Sequence, residues 1–399
     1  PPYGLSYTSP VPPLFATPFT AASGETGINP FPLTFPALNA SISHPNPNIN
    51  FSMFPSIAGM TAPPPTNTYP YAENYFLSFE RNLDANTVLD LSYVGSEGHH
   101  LLVVYSANPG NPTLCLTSPG CGPGGENSPY VSSSGQKIPC TRQGLGCAFG
   151  NDDYEGSVGN SNYNSFQATI QHKTGSLSVM ISYTFSKSID NASSLADTGD
   201  PFNLQLMRAL SAFDLKHNFV ATYEYTLPVE RILKRTNRWT QGWEISGITH
   251  ASSGFPVTLS SADDNSLQGS NPNGVNSRYM DLPDVLPGPL DLGHYTQNGQ
   301  PYYFNISLFQ PNALGTPGNA SRRYFYGPGS FNTDLALLKS IPISESKTLQ
   351  LRLETFNVFN HTQFFGPQAV NGNISNPLFG ELVKAAPPRL LQLAAKFTF

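Results

Sequence analysis

Apolar and polar residues alternate with period two in many separate stretches of the chain. The clearest is 175–186, GSLSVMISYTFS, with Leu177, Val179, Ile181, Tyr183 and Phe185 on one face and small polar residues, plus Met180, on the other. Such alternation is the pattern of a β-strand with two different surroundings. The same pattern places Tyr75, Leu77 and Phe79 on one face, and likewise Leu89, Leu91 and Tyr93. It recurs at Phe166, Ala168 and Ile170, and at Phe219, Ala221, Tyr223 and Tyr225. Trp243, Ile245, Gly247 and Ala251 form a weaker face, and Leu349, Leu351 and Leu353 a strong one. The last stripe is Leu391, Leu393, Ala395, Phe397 and Phe399, and a less regular strand near 329–339 brings the expectation to about nine.

The connections between these stretches alternate in length. Short links are expected near 83–86, 173–176, 228–238 and 340–347, and long ones near 101–161, 188–212, 255–327 and 361–387. Ten residues of alternation span about 33 Å at ~3.3 Å per residue, which is long for a sandwich strand and suits a tilted bilayer crossing. Tight turns at one end and elaborate loops at the other are the asymmetry of outer-membrane barrels. The expected fold is therefore all-β: an antiparallel meander forming part of a transmembrane outer-membrane β-barrel, with long extracellular loops and short periplasmic turns. Glu80, Asp90, Glu224, Glu244, Arg352, Glu354 and Lys396 all fall on the polar face, where a wet lumen would accept them.

Composition agrees with β-structure. Charged residues make up only 12% of the chain, about half the usual share, while 34 glycines and 38 prolines disfavour a mainly helical protein. A net charge of −6 gives no electrostatic case for nucleic acid as a partner. No run of 18 apolar residues occurs, so no transmembrane helix is expected. All four cysteines, Cys115, Cys121, Cys140 and Cys147, lie in one Gly/Pro/Ser-rich stretch without a CxxC pair or a neighbouring histidine. That disfavours zinc and favours local disulfides in an oxidising compartment. Three connectivities are open, of which Cys115–Cys121 with Cys140–Cys147 is the simplest.

A set of landmarks resembles one family. LSYVGSEGHHL (91–101), SNYNSFQATIQHKTGSLSVMISYTFSKSID (161–190), FDLKHNFVATYEYTLP (213–228) and GWEISGITHASSGFPVTL (242–259) come first. YGPGSFNTDLALLKS (326–340), LQLRLETFNVFNHTQF (349–364) and the terminal LLQLAAKFTF (390–399) follow. In order and spacing they resemble the barrel half of TonB-dependent receptors of the Oar-like type, over most of 71–399. The resemblance implies an importer in the outer membrane of a Gram-negative-type bacterium, with outer-membrane lipid around it. Partners would be the TonB energy-coupling complex, met through an N-terminal part not represented here, and a carbohydrate, peptide or chelate substrate. It implies division into a Pro-rich segment 1–70, read as an extracellular loop, and the C-terminal portion of the barrel, 71–399. Leu391, Leu393, Phe397 and Phe399 are similar to the terminal strand that barrel-assembly machinery recognises. A secreted or surface β-rich binding or adhesion protein is the alternative.

No catalytic motif is present, and no cofactor, catalytic or metal-binding set is expected. His99 and His100 are read as the end of a strand at a polar rim, and Asp152 and Asp153 as a solvated acidic loop. Asp263 and Asp264 are likewise expected to be solvated, as is the basic group Arg231, Lys234, Arg235 and Arg238, followed by Trp239 and Trp243 as candidates for an interfacial aromatic girdle. Near Glu354 and Thr355 the apolar positions change parity, predicting a bulge or the end of the lipid-facing zone.

Overall fold

A computed structural model of the protein describes residues 61–142, 144–147, 149–150, 152–195, 197, 200, 202–269, 281–297 and 299–399. The Pro-rich segment expected over 1–70 therefore lies outside the described residues except for 61–70. Of these, Thr61–Ala62 pair in parallel with Asp153 and Tyr154.

Nine long strands form one sheet: β1 (Tyr71–Asp84), β2 (Thr87–Ser106), β3 (Asp153–Lys173), β4 (Leu177–Asp190) and β5 (His217–Leu227), then β6 (Trp243–Ser252), β7 (Ser330–Ser344), β8 (Lys347–Phe356) and β9 (Leu390–Thr398). Each pairs antiparallel with its neighbours in the chain, so the sheet is a meander; among the described residues β1 and β9 are its edges.

The register carries the apolar stripes of separate strands onto one common face. Phe79, Leu91, Ala168, Tyr183, Phe219, Ala251 and Phe331 are successive cross-strand partners. A second row joins Leu177, Tyr225, Ile245, Leu337, Leu353 and Leu393. On the other face Ser78, Ser92, Gln167, Thr184, Asn218, Ser252 and Ser330 line up. A one-residue slip in any pair would put polar groups into the apolar row, so the pattern itself locks the register. The apolar face is uncovered: Phe166 and Phe185 are each 45% exposed, and Leu351 42%. A continuous exposed apolar wall of this extent is stable against lipid, not water. On β4 the outward residues are apolar from Leu177 to Phe185, about 26 Å of strand, which matches the apolar band of such barrels.

Several expected boundaries move. β2 and β3 continue past the wall, so the first long loop is 107–152, not 101–161. β7 runs to Ser344, which reduces the 340–347 link to Glu345–Ser346. His99 and His100 do not end a strand; they sit at a register shift inside β2, where His100 takes φ 54°. No shift occurs at Glu354 or Thr355: β8 stays in register through Phe356 and the chain turns at Asn357, with φ 53°.

The largest group of buried apolar side chains is not in the sheet. Met207, Val257, Leu259, Leu282, Phe304, Leu308, Phe309, Phe325, Val370 and Phe379 pack together, and all belong to the long loops 191–216, 253–329 and 357–389. Phe304 is fully buried and meets Phe309, Phe325 and Phe379 edge-on at 5.2–5.3 Å between ring centroids. Three long loops thus fold as one cap on the long-loop end of the sheet.

Candidate functional site

The cap is the candidate site, because it gathers most of the chain that the wall does not need. Its backbones approach closely. A side chain at Gly318, where φ is +84°, would meet the Leu282 carbonyl at 1.9 Å, and one at Gly372 would meet the Thr258 carbonyl at 2.0 Å. Across these contacts Val257 donates its N–H to Phe325, Leu259 to Arg322, and Ser260 to Gly372. Tyr303 donates its backbone N–H to Gly380 and its hydroxyl to the Tyr326 carbonyl.

Charged groups tie the cap to the sheet. Arg322 holds Asp190 at the end of β4 at 2.7 Å and Asp197 at 2.6 Å, while Arg323 holds Asp197 at 2.9 Å. All four side chains are nearly buried, so removing any one leaves charge without its partner. Burial pushes the Asp197 carboxyl up, but the Arg323 hydrogen bond and the Arg322 charge outweigh it and hold it below the usual carboxylate range. The signal for this clamp in the sequence is the Arg-Arg pair of SRRYF in a loop otherwise poor in charge. Nothing in the spacing indicates its carboxylate partners.

The 107–152 loop carries the four cysteines, bonded Cys115–Cys121 and Cys140–Cys147. It docks on the cap through Gly110, which donates to the Gln268 carbonyl, and Gly124, which donates to Asp264 Oδ2 at 2.9 Å. Asp264 is therefore not the solvated residue expected: it is 3% exposed, and Gly269 donates to its other oxygen. Asp152 is also fully buried rather than part of a solvated acidic loop. Beside Asp264 lies buried Glu126, whose carboxyl is pushed up to about 8 by burial and by its hydrogen bond with the Asp264 carboxylate. Arg142 stands near, donating to Asn127 at 2.6 Å and to the Asn108 carbonyl. Burial likewise raises Asp281 to about 6, although Ser266 and Asn312 both donate to it.

Two recesses open beside the cap. One, of about 550 Å³, is lined by Glu97, His99, Asn160, Asn162, Gln205 and Arg208, a surface rich in amide donors and acceptors with one carboxylate and one guanidinium. The other is lined by Phe185, Lys187, Arg208, Lys216 and Tyr324 among others. Among the described residues no group of three or more His, Cys, Asp or Glu side chains is placed to hold a metal ion. At the opposite end, Arg231, Lys234, Arg235 and Arg238 are exposed on the turn, as expected. Trp239, 67% exposed, and Trp243 stand beside Lys339, whose ammonium lies 5.3 Å from the Trp243 ring and donates to the Arg238 and Gln241 carbonyls. The terminal stripe Leu391, Leu393 and Phe397 lies on the outward face of β9, with Phe399 stacked on Phe397 at 6.0 Å.

A family model described as an outer membrane beta barrel domain matches residues 1–392. No curated protein matches the sequence. Among solved structures, the outer membrane transporter YddB from Escherichia coli aligns at 10% identity and TM-score 0.42, covering 83% of this chain and 33% of that one. The FrpB iron transporter from Neisseria meningitidis aligns at 12% identity and TM-score 0.39, covering 86% and 33%. The siderophore receptor PirA from Acinetobacter baumannii aligns at 9% identity and TM-score 0.40, covering 83% and 32%. The chain spans about a third of the length of each.

Proposed function

Because the chain belongs to the outer membrane beta barrel domain family, and so resides in the outer membrane, we propose that it supplies the C-terminal portion of the barrel of a TonB-dependent transporter. In this reading the cap and the 107–152 loop face outward and capture substrate, which enters the lumen when energy coupling displaces a plug carried by the rest of the protein. The observation that carries it is the segregation of connections: turns at 85–86, 174–176, 228–242 and 345–346 at one end, and the folded cap at the other. Capture would rest on aromatic and amide side chains, so carbohydrate, peptide and chelate ligands all suit the surface. A binding protein free in water would have to cover the exposed apolar wall, which favours transport over the adhesion reading.

Orientation is testable directly. Single cysteines are placed at Gly175 and at Asn265 in a cysteine-free background of the full-length protein, so that each reports alone. An impermeant maleimide on intact cells should label Asn265 and spare Gly175. In parallel, the purified full-length protein should bind the periplasmic domain of a TonB-type coupling protein. Labelling only at Gly175 would invert the orientation, and failure to bind the coupling domain would remove energy-dependent import.

A further inference from the structure

The recess beside β4 lies at the end of the wall, where the outward apolar stripe of β4 stops and the cap begins, and Phe185 and Lys187 of that stripe's face line it. Lys187 is two residues beyond Phe185 on the same outward face, the first charge after the apolar run Leu177–Phe185. Its cross-strand partner is Asn164, whose side-chain oxygen accepts from both Tyr75 and Tyr93, at 3.1 and 2.5 Å. Outward tyrosines with engaged phenols mark the headgroup level of a bilayer. Above them Arg208 and Lys216, both exposed, bring two more cations to the same recess, about 440 Å³ in volume, and Tyr324 and Phe185 add aromatic surface. Among the described residues no ion pair engages Lys187, Arg208 or Lys216. Asp214 stands near Lys187, but its two oxygens already accept from the Ser188 N–H and the Tyr326 hydroxyl. The fourth cation, Arg323, is occupied by Asp197.

We propose that this recess binds the phosphorylated headgroup of a glycolipid of the outer leaflet, with Lys187, Arg208 and Lys216 as the phosphate-binding groups. Phosphate is favoured over a carboxylate solute because three cationic residues, none in an ion pair among the described residues, line one recess in a chain of net charge −6. A lipid is favoured over free phosphate because the stripe directly below, Phe185, Tyr183, Ile181, Val179 and Leu177, continues the recess as a track for acyl chains. The proposal rests on the orientation given above, since only the outer leaflet carries such glycolipids.

The test uses the purified full-length protein in detergent and three probes: bis-phosphorylated lipid A, its monophosphorylated form, and inorganic phosphate. Native mass spectrometry and a competition assay should show lipid A bound most tightly and the monophosphoryl form more weakly, with no displacement by millimolar phosphate. The triple variant Lys187→Gln, Arg208→Gln, Lys216→Gln should bind lipid A at least tenfold more weakly while keeping a heat-modifiable barrel. As a folding control, Arg231→Gln with Arg235→Gln at the opposite end should leave lipid A affinity unchanged. Equal lipid A affinity in the triple variant, or full displacement by phosphate, would overturn the site. Binding in detergent does not depend on orientation, so inverted cysteine labelling with intact lipid A binding would overturn the natural ligand's leaflet and the orientation, but not the phosphate-binding recess.

Discussion

Glu126 shows how far one side chain can depart from its sequence context. It lies in a Gly-rich loop where an acidic residue would ordinarily be solvated, yet it is 3% exposed against Asp264 and within the field of Arg142. Its folded pKa of about 8 lies above the ordinary carboxylate value, so the folded state keeps a proton that the unfolded state releases. Stability of the docked loop is therefore greatest below about pH 4.5 as far as this group is concerned, and declines as pH rises toward 8. Once the intrinsic, roughly tenfold-per-unit rise of exchange with pH is divided out, the protection of residues 107–152 should fall from pH 5 to pH 8 in the native protein. Glu126→Gln, which keeps the shape and cannot ionise, should flatten that fall in protection; an unchanged slope would assign it to another group. Phe304 is the apolar counterpart. Phe304→Ala removes the centre of the cap cluster and should cost the cap about 3–5 kcal/mol. Limited proteolysis should then cut 253–329 while the strands stay resistant.

At the scale of the element, β4 and β9 invite direct tests. Ile181 faces outward between Ile170 and Ala221, whereas Ser182 faces the other way, with its hydroxyl 3.1 Å from that of Thr169. Arginine at a lipid-facing position near the midplane costs roughly 2–4 kcal/mol, and a lumen position tolerates it. Ile181→Arg should thus deplete heat-modifiable barrel in outer-membrane fractions far more than Ser182→Arg, and matching losses would reject this assignment of faces. For β9 we propose that the stripe ending at Phe399 guides assembly. Its outward side chains are exposed, Leu393 at 82% and Phe399 at 88%, and the strand pairs on one side only among the described residues. An open strand edge is a template for pairing with another chain. Deleting Phe399 from the full-length protein should leave synthesis and export intact while outer-membrane barrel falls and periplasmic degradation products rise. Normal barrel levels after that deletion would dismiss the assembly role.

The molecule as a whole divides its stability between two different solvents. The wall has little apolar interior of its own; its rows of Phe, Leu and Tyr are satisfied by surrounding lipid, and its polar rows face the lumen. The cap instead folds as a water-soluble domain does, around Phe304; Arg322 staples it to the wall at Asp190, and Arg323 ties two of its loops together through Asp197. In the transport reading proposed above, a cap packed in this way would order fewer groups on binding substrate. The clamp predicts that Asp197→Asn, which leaves Arg323 without its carboxylate, should loosen the cap by a few kcal/mol without altering β4. Disulfide-intact protein should then show faster exchange across 253–329 at every pH.

The nine strands, their order and the common apolar face were legible in the sequence, because a side-chain period of two and a lipid-exposed wall leave one register in which every stripe coincides. Turn and loop alternation was legible for the same reason: it is a count of residues between stripes. The close pairing of cysteines was one of three arrangements open to the sequence, and the structure contains it. What the sequence could not reveal is that loops read as separate and solvated share one core. Met207, Phe304 and Phe379 come from three connections far apart in the chain and carry no periodicity, since irregular backbone imposes none. Burial of Glu126, Asp152 and Asp264, and the convergence of Lys187, Arg208 and Lys216, follow from that same packing. Each depends on which loops meet above the wall, and only the tertiary structure decides that.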